Sequence, residues 1–94
     1  MMATQVRASH ILVSTEQDAR NILGQLNAGK KFAELAKLYS SCPSGAKGGD
    51  LGYFTRGRMV PEFEAAAFSL KTGQVSEPVK TAFGYHIIMV TDTK

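Results

Sequence analysis

Two histidines and one cysteine are the side chains of this sequence best suited to chemistry at neutral pH. His10 opens the apolar run HILV near the N-terminus, and His86 opens the similar run HIIMV near the C-terminus. An imidazole ring both donates and accepts hydrogen bonds, and its pKa lies close to neutrality. If the first and last strands pair in an antiparallel sheet, the two rings can lie side by side on one face. This placement predicts a paired-histidine network, and two separate half-buried core histidines are the alternative.

Cys42 permits two further interpretations, and the sequence pattern favours neither. A thiol beside an imidazole suggests a nucleophile with its base, but no Asn or Asp is evident to orient that base. One cysteine with two histidines suggests zinc, but no two of them have the spacing of paired ligands and a fourth ligand is lacking. We therefore expect no metal and no cofactor. On the residues alone, Cys42 is a free thiol in a loop rich in Ser and Gly.

Met59 and Phe63 are candidates for lining a binding pocket. Met59 follows an Arg-Gly turn and precedes a helix expected to begin near Pro61. A long, flexible apolar side chain at such a turn tends to line a pocket rather than fill a core. Phe63, on the first turn of that helix, can face the same space. Core packing is the alternative for these residues and for Leu51 and Phe83, and it must hold for some of the apolar set.

The hydrophobic pattern predicts the elements that would position these side chains. Period-two alternation or β-branched runs indicate four strands, at 7–13, 51–54, within 71–79 and at 84–92. Apolar stripes of helical spacing indicate three helices, one capped by Ser14 and ended by Gly29, one from about residue 31, and one over 60–70. Residues 40–50 are expected to form a loop with at most a turn of helix. The order predicts an α+β domain with an antiparallel sheet.

Composition limits the classes of protein that fit. The 94 residues, 44% of them hydrophobic, suit one compact domain over 1–94. The net charge of +3 comes from scattered basic residues with acids between them, which favours a solvated surface over a nucleic-acid site. The first residues lack the apolar region of a signal peptide, and the longest apolar run is too short to cross a bilayer. The single cysteine fits a reducing compartment, so we expect a cytoplasmic location. We also expect a monomer.

Three motifs taken together closely resemble the parvulin family of peptidyl-prolyl cis-trans isomerases. They are ASHILV (8–13), SSCPSGAKGGDLGYFTRGRMVPEFEAAAF (40–68) and FGYHII (83–88), and the resemblance covers about 6–91. It implies the parvulin (FKBP-like) fold, with a four-stranded antiparallel sheet surrounded by about four helices in the order βα3βαβ2. It also implies an enzyme that assists folding by accelerating rotation of X-Pro bonds in proline-containing peptides and unfolded or folding proteins. We interpret that mechanism as non-covalent.

The resemblance also assigns roles to individual residues. The catalytic network would contain His10, Cys42, Thr81 and His86. The pocket for the proline ring would contain Leu51, Met59 and Phe63, with Phe83 and Tyr85 at its rim. The family member that this chain resembles is a small, stand-alone, non-phosphospecific parvulin.

One absence bears on substrate choice. Phosphospecific parvulins carry an extended basic loop after the first strand, whereas this sequence has only VSTEQ (13–17) there, with one acid. The residue before proline is therefore expected to be apolar or unrestricted, although Arg56, Arg58 and Lys80 could favour acidic neighbours. A non-catalytic peptide-binding module acting as a chaperone and a basic nucleic-acid-binding domain are the rival interpretations.

Overall fold

A computed structural model of the chain describes residues 4–94, and the first three residues of the predicted 1–94 domain lie outside the described residues. The elements follow in the order β1 (Val6–Val13), α1 (Glu16–Asn27), α2 (Phe32–Tyr39), a 3-10 helix (Pro43–Lys47), β2 (Asp50–Phe54), α3 (Pro61–Ser69), β3 (Val79–Thr81) and β4 (Gly84–Thr93). The strands form one antiparallel sheet in the spatial order β2-β1-β4-β3. The predicted α+β class and four-stranded sheet are confirmed. The fourth expected helix is the short 3-10 helix.

The first and last strands pair at the centre of the sheet, as the placement of the histidines predicts. His10 lies opposite Ile88, and Leu12 lies opposite His86. The two histidines are thus diagonal neighbours, two residues apart in register, and their side chains point to the same face of the sheet. Hydrogen bonds continue the pairing to the end of the chain, since the N–H of Gln5 donates to the carbonyl of Lys94 at 3.1 Å and the N–H of Lys94 donates back at 2.8 Å.

The two faces of the sheet carry separate apolar clusters. Helices α1 and α2 cover one face, here called the helix-pair face, whose buried cluster is Ile11, Val13, Ala19, Ile22, Phe32, Leu35, Ala36 and Ile87. Helix α3 covers part of the other, here called the site face, whose buried cluster is Val6, Ala8, Phe54, Phe63, Ala67, Ile88 and Val90. Because side chains alternate along a strand, neighbours such as Ile87 and Ile88 belong to opposite faces. No helix among the described residues is long and apolar enough to cross a membrane.

The start of α1 differs from the prediction by one residue. The side chain of Thr15, not Ser14, accepts the capping hydrogen bond, which the N–H of Asp18 donates at 3.1 Å. Helix α3 begins as predicted, with Pro61 in its first turn. A proline is tolerated there because the first N–H groups of a helix have no partner within it.

Gly49 allows the loop after α2 to approach β1 closely. Its φ is +86°, and a Cβ there would lie 2.4 Å from the carbonyl oxygen of His10. The carbonyl of Gly49 accepts a hydrogen bond from the N–H of His10 at 2.9 Å. Only glycine fits this approach without a clash. The contact holds the segment that contains Cys42 against the strand that carries His10.

Candidate active site

His10 and His86 form the predicted ring pair. Their Nδ1 atoms are 2.9 Å apart, and the ring planes are inclined by only 17°. Both residues are 5% exposed, so the pair lies inside the protein. A short contact between two imidazole nitrogens requires one N–H and one lone pair. One proton therefore lies between the rings, and the protonation of each ring depends on the other.

Thr81 extends this pair to a chain of three side chains, as the sequence analysis predicts. Its Oγ1 lies 2.7 Å from Nε2 of His86 and accepts a hydrogen bond from the N–H of Phe83 at 3.1 Å. Two proton arrangements satisfy the chain. If the Thr81 hydroxyl donates to His86, then His86 donates to His10 and Nε2 of His10 carries a proton. If instead His86 donates to Thr81, then His10 donates to His86 and Nε2 of His10 carries no proton.

Nε2 of His10 ends this hydrogen-bonded series of side chains. It is buried and has no hydrogen-bond partner among residues 4–94. The other three ring nitrogens of the pair are all in use, two of them with each other and one with Thr81. Every ring nitrogen is thus either occupied or shielded from solvent. The pair has no nitrogen that faces an incoming molecule in this conformation.

Both histidines are neutral at pH 7. Burial, together with a smaller effect from the proximity of His86, lowers the pKa of His10 to about 4. Burial also lowers the pKa of His86. Desolvation disfavours the charged form of an imidazole, and two adjacent charges would repel each other. The network is therefore an uncharged one at physiological pH.

Phe63 fixes the position of both rings. Its own ring meets His10 edge-on at a centroid distance of 5.5 Å and His86 at 5.3 Å, with interplanar angles of 81° and 83°. Edge-to-face contacts of this kind are favourable because the positive edge of one ring meets the negative face of the other. Phe63 is buried on the first turn of α3, so the placement of that helix also determines the placement of the histidine pair.

An apolar cavity of about 460 Å³ lies against these rings. The three residues predicted for the proline pocket, Leu51, Met59 and Phe63, all line it, together with His10 and His86. Thr81 does not line the cavity because it lies behind His86, where it is buried. Apolar walls around a neutral pair suit a proline ring and an uncharged amide better than a charged substrate.

Cys42 lines the same cavity, but it does not join the histidine chain. The hydroxyl of Ser44 donates to its Sγ at 3.3 Å, and neither histidine is hydrogen-bonded to the thiol within residues 4–94. Cys42 is the residue before the 3-10 helix, which brings Ser44 back against the sulfur. The expected hydrogen bond from Cys42 to the histidine network is thus not found among residues 4–94, and the expected electrostatic role of Cys42 in that network stays a prediction. Its place in the cavity wall agrees with the prediction.

The two predicted rim residues lie in different places. Phe83 lines the cavity and is 69% exposed, as a rim residue should be. Tyr85 packs against the cluster of the helix-pair face. The expectation that Tyr85 helps to form the rim is wrong, because it precedes His86 in β4 and successive strand residues point to opposite faces.

The cavity has five further lining residues that were not predicted from the sequence: Leu12, Ser41, Pro43, Arg58 and Val60. Leu12 could have been found, because it lies two residues after His10 on the same strand face. Arg58 is the one lining residue with a full charge, and it has no ion pair among residues 4–94, whereas Arg56 pairs with Glu64.

Among the described residues, no three His, Cys, Asp or Glu side chains could hold a metal ion together.

Fold and site together define the class of protein. A neutral histidine pair under an apolar cavity, on a sheet of order β2-β1-β4-β3, is the arrangement expected of a parvulin-type proline isomerase domain. The family described as Rotamase, the PPIC-type PPIASE domain, matches residues 2–92, and the chain belongs to this family. It is thus a peptidyl-prolyl cis-trans isomerase (rotamase) domain with the parvulin fold, as the sequence analysis predicts.

Similar proteins agree with this assignment. The foldase protein PrsA 1 of Bacillus cereus is 59% identical over 91 residues, which cover 96% of this chain and 32% of that protein. A crystal structure of the peptidylprolyl isomerase PrsA from Bacillus anthracis superposes with a TM-score of 0.95 at 53% identity, covering 98% of this chain and 43% of that one. The parvulin of Nitrosopumilus maritimus gives a TM-score of 0.88 at 48% identity, covering 98% of this chain and all of that one. The chain spans about a third of the length of the curated relatives it matches.

Proposed function

We propose that this domain accelerates rotation about the bond before proline in unfolded or folding protein chains, by a non-covalent mechanism. The observation that carries the proposal is the neutral histidine pair under an apolar cavity lined by Leu51, Met59 and Phe63. The site offers shape and apolar walls rather than a reactive group. The name foldase, which the PrsA relatives carry, agrees with a role on folding chains.

The reaction explains why such a site would suffice. Rotation about a peptide bond has a barrier of roughly 18–20 kcal/mol because the twisted form loses amide resonance. A catalyst must bind the twisted form more tightly than either planar form. A cavity that grips the proline ring lets the carbonyl side turn. Apolar walls also disfavour the charge-separated resonance form of the planar amide, which lowers the barrier.

We assign the histidine pair the role of scaffold rather than proton carrier. Every ring nitrogen is occupied or buried, so a bound peptide has no imidazole nitrogen to exchange a proton with. Phe63 contacts both rings edge-on and also lines the cavity. The hydrogen-bonded pair thus supports the wall that the substrate contacts.

The surroundings of Cys42 support the non-covalent mechanism. A cysteine nucleophile needs a base within hydrogen-bond reach, and the group that bonds to this sulfur is the hydroxyl of Ser44. The side chain still faces the cavity, where its volume and dipole contact a bound chain. Its proposed role is to shape the wall and to polarise it.

The proposed substrates are proline-containing chains with no requirement for phosphate. Two residues, Ser14 and Thr15, connect β1 to α1, and neither is basic. We propose that the residue before proline is apolar or unrestricted. The expected cytoplasmic location and monomeric state stay predictions.

Exchange NMR on an X-Pro peptide tests the proposal, since it measures interconversion without a coupled protease. We expect the domain to speed cis-trans exchange of an Ala-Pro or Leu-Pro peptide at catalytic concentration. Cys42→Asp should keep activity within about tenfold of the original, and Cys42→Ala should lose more. Abolition of turnover by both substitutions in folded protein would instead support a covalent role for the thiol.

The rival interpretation, a peptide-binding module without catalysis, gives a distinct result in the same experiment. Peptide binding would shift the resonances of Met59 and Phe63 while the cis-trans exchange rate stays at its uncatalysed value. That result would overturn the isomerase proposal for this chain.

A further inference from the structure

A second groove lies beside the candidate active site. It has a volume of about 290 Å³ and runs between α1, the end of β1 and the end of α2. Val13 and Ile22, both buried, form its floor, while Asn21, Gln25 and Tyr39 form its walls and the exposed Asp18 adds one negative charge at its edge. None of these residues belongs to the proline cavity, so the groove is a separate feature of the surface.

Ser41 joins the groove to the proline cavity, because it lines both. Its N–H and its hydroxyl both donate to the carbonyl of Leu12, at 2.8 Å and 3.1 Å, which fixes it across the end of β1. Leu12 faces the proline cavity and the next residue, Val13, faces the groove. The two recesses therefore meet at the exposed side chain of Ser41, one on each side of the strand end.

The chemistry of the groove suits an extended polypeptide. The carboxamides of Asn21 and Gln25 and the hydroxyl of Tyr39 each offer donors and acceptors that match a peptide backbone whatever its sequence. The floor is aliphatic, and Tyr39 is 47% exposed above it. An exposed aromatic ring next to backbone-compatible amides can hold both the side chains and the main chain of an unfolded segment.

We propose that this groove binds the same polypeptide whose proline occupies the cavity, as an extended substrate subsite. An extended chain advances about 3.3–3.6 Å per residue, so a few residues beyond the proline are enough to pass Ser41 and enter the groove. The inference rests on the proposed isomerase function. It adds that the domain prefers long unfolded segments to short peptides and gains that preference from sequence-independent contacts.

Length dependence of turnover tests this inference. The probes are an Ala-Pro tetrapeptide and two longer peptides, extended by six residues on the N-terminal or the C-terminal side of the same core. One of the extensions should lower KM about fivefold while kcat stays constant, since the groove binds ground state and transition state alike. Equal KM for all three peptides would overturn the inference.

A matched pair of variants on α1 locates the effect. Asn21→Arg places a long side chain in the groove, and Gln17→Arg adds the same charge one turn earlier, outside its lining residues. Asn21→Arg should abolish the fivefold advantage of the longer peptide and leave tetrapeptide turnover within about twofold. Gln17→Arg should preserve the advantage. If the advantage survives in Asn21→Arg, the groove is not the subsite.

A binding measurement separates this inference from the proposed function. Addition of the long peptide should shift the side-chain amide NMR signals of Asn21 and Gln25, while the tetrapeptide should leave them in place. Shifts without any catalysed exchange would overturn the isomerase function and keep the groove as a chain-binding site. Catalysed exchange without these shifts would overturn the groove and keep the isomerase.

Discussion

The two faces of the sheet are built from the same central strands, yet two helices cover one face and a single helix covers part of the other. On the helix-pair face, α1 and α2 cover an apolar cluster, and Ser9 is a small buried polar neighbour on β1. On the site face, β1 and β4 present His10 and His86 next to apolar neighbours, and the single helix α3 leaves a cavity above them. Adjacent strand residues thus enter two environments that differ in polarity and in coverage.

The difference shows what a small domain requires in order to keep polar groups inside. Buried polar groups destabilise a fold unless they are hydrogen-bonded. Here the two imidazoles and Thr81 satisfy one another and leave only Nε2 of His10 without a partner among the described residues. The helix-pair face supplies stability through apolar burial, and the site face can then tolerate a neutral network and a cavity.

We expect the largest effects from substitutions of Ile87 and Ile88, two fully buried neighbours on opposite faces of the sheet. Ile87→Ala and Ile88→Ala should each lower the free energy of unfolding by about 2–5 kcal/mol, because each leaves a cavity. Only Ile88→Ala should also reduce kcat/KM, since Ile88 lies opposite His10 on the site face. Urea unfolding and exchange NMR at 10 °C measure the two quantities.

If either alanine variant fails to fold, the milder valine replacements test the same point, with an expected loss of about 1 kcal/mol each. A tenfold loss of kcat/KM in a folded Ile87 variant would show that the faces are not independent.

The next prediction concerns turnover in alanine variants of two buried phenylalanines, Phe63 on the site face and Phe32 on the helix-pair face. Phe63→Ala should lower kcat/KM about 10- to 100-fold, because it removes part of the proline pocket and both edge contacts to the histidines. Phe32→Ala should destabilise the fold and leave turnover per folded molecule unchanged. Equal turnover in the two variants would refute the pocket assignment.

A smaller effect concerns pH, to which the histidine pair of the site face should respond in the acidic range below pH 6.5. The pKa of His10 falls from 6.5 to about 4 on folding, so the unfolded chain binds more protons between these values. The histidine contribution to stability should therefore be complete above pH 6.5 and be lost as the pH falls toward 4. Turnover should be flat between pH 6 and 8.

Two-dimensional NMR of the imidazole ring protons measures these titrations directly, since the chain has only two histidines. A pKa at or above 6.5 for either ring in the folded protein would contradict a neutral pair. A pH-dependent kcat between 6 and 8 would restore a proton-carrying role.

The smallest effect compares Phe83 at the cavity rim with Tyr85 on the helix-pair face. Phe83→Ala should raise KM about two- to fivefold, since an exposed rim side chain contributes little binding energy. Tyr85→Leu should leave both KM and kcat within experimental error. A raised KM for Tyr85→Leu would return that residue to the substrate-binding surface.

Much of the fold was predictable from local patterns. Alternating residues identified β1 and β4, and the similar placement of His10 and His86 on them predicted a shared face. The start of α1 was missed by one residue because Ser14 and Thr15 are both good caps, and only the backbone conformation selects between them.

Most members of the site and the pairing of its two histidines were predictable, but the hydrogen-bond partner of Cys42 was not. Family motifs identified the three pocket residues, since they occur at a specific spacing. They could not reveal that Cys42 bonds to Ser44, which depends on the 3-10 turn between them, or that Nε2 of His10 is shielded, which depends on register and on the packing of α3. Tyr85 was assigned from resemblance, although strand alternation already placed it opposite His86.

The pairing of Gln5 with Lys94 has a mechanical consequence. A pull on the two ends of the domain would load the β1–β4 ladder at one end, so that its rungs open one at a time, as in a zipper, rather than shear together. Four residue pairs of the β1–β4 ladder lie between these ends and the pair that contains His10. Their β1 members are Val6, Arg7, Ala8 and Ser9. Fraying or tension at the ends would have to break these four rungs before it could separate the histidine pair.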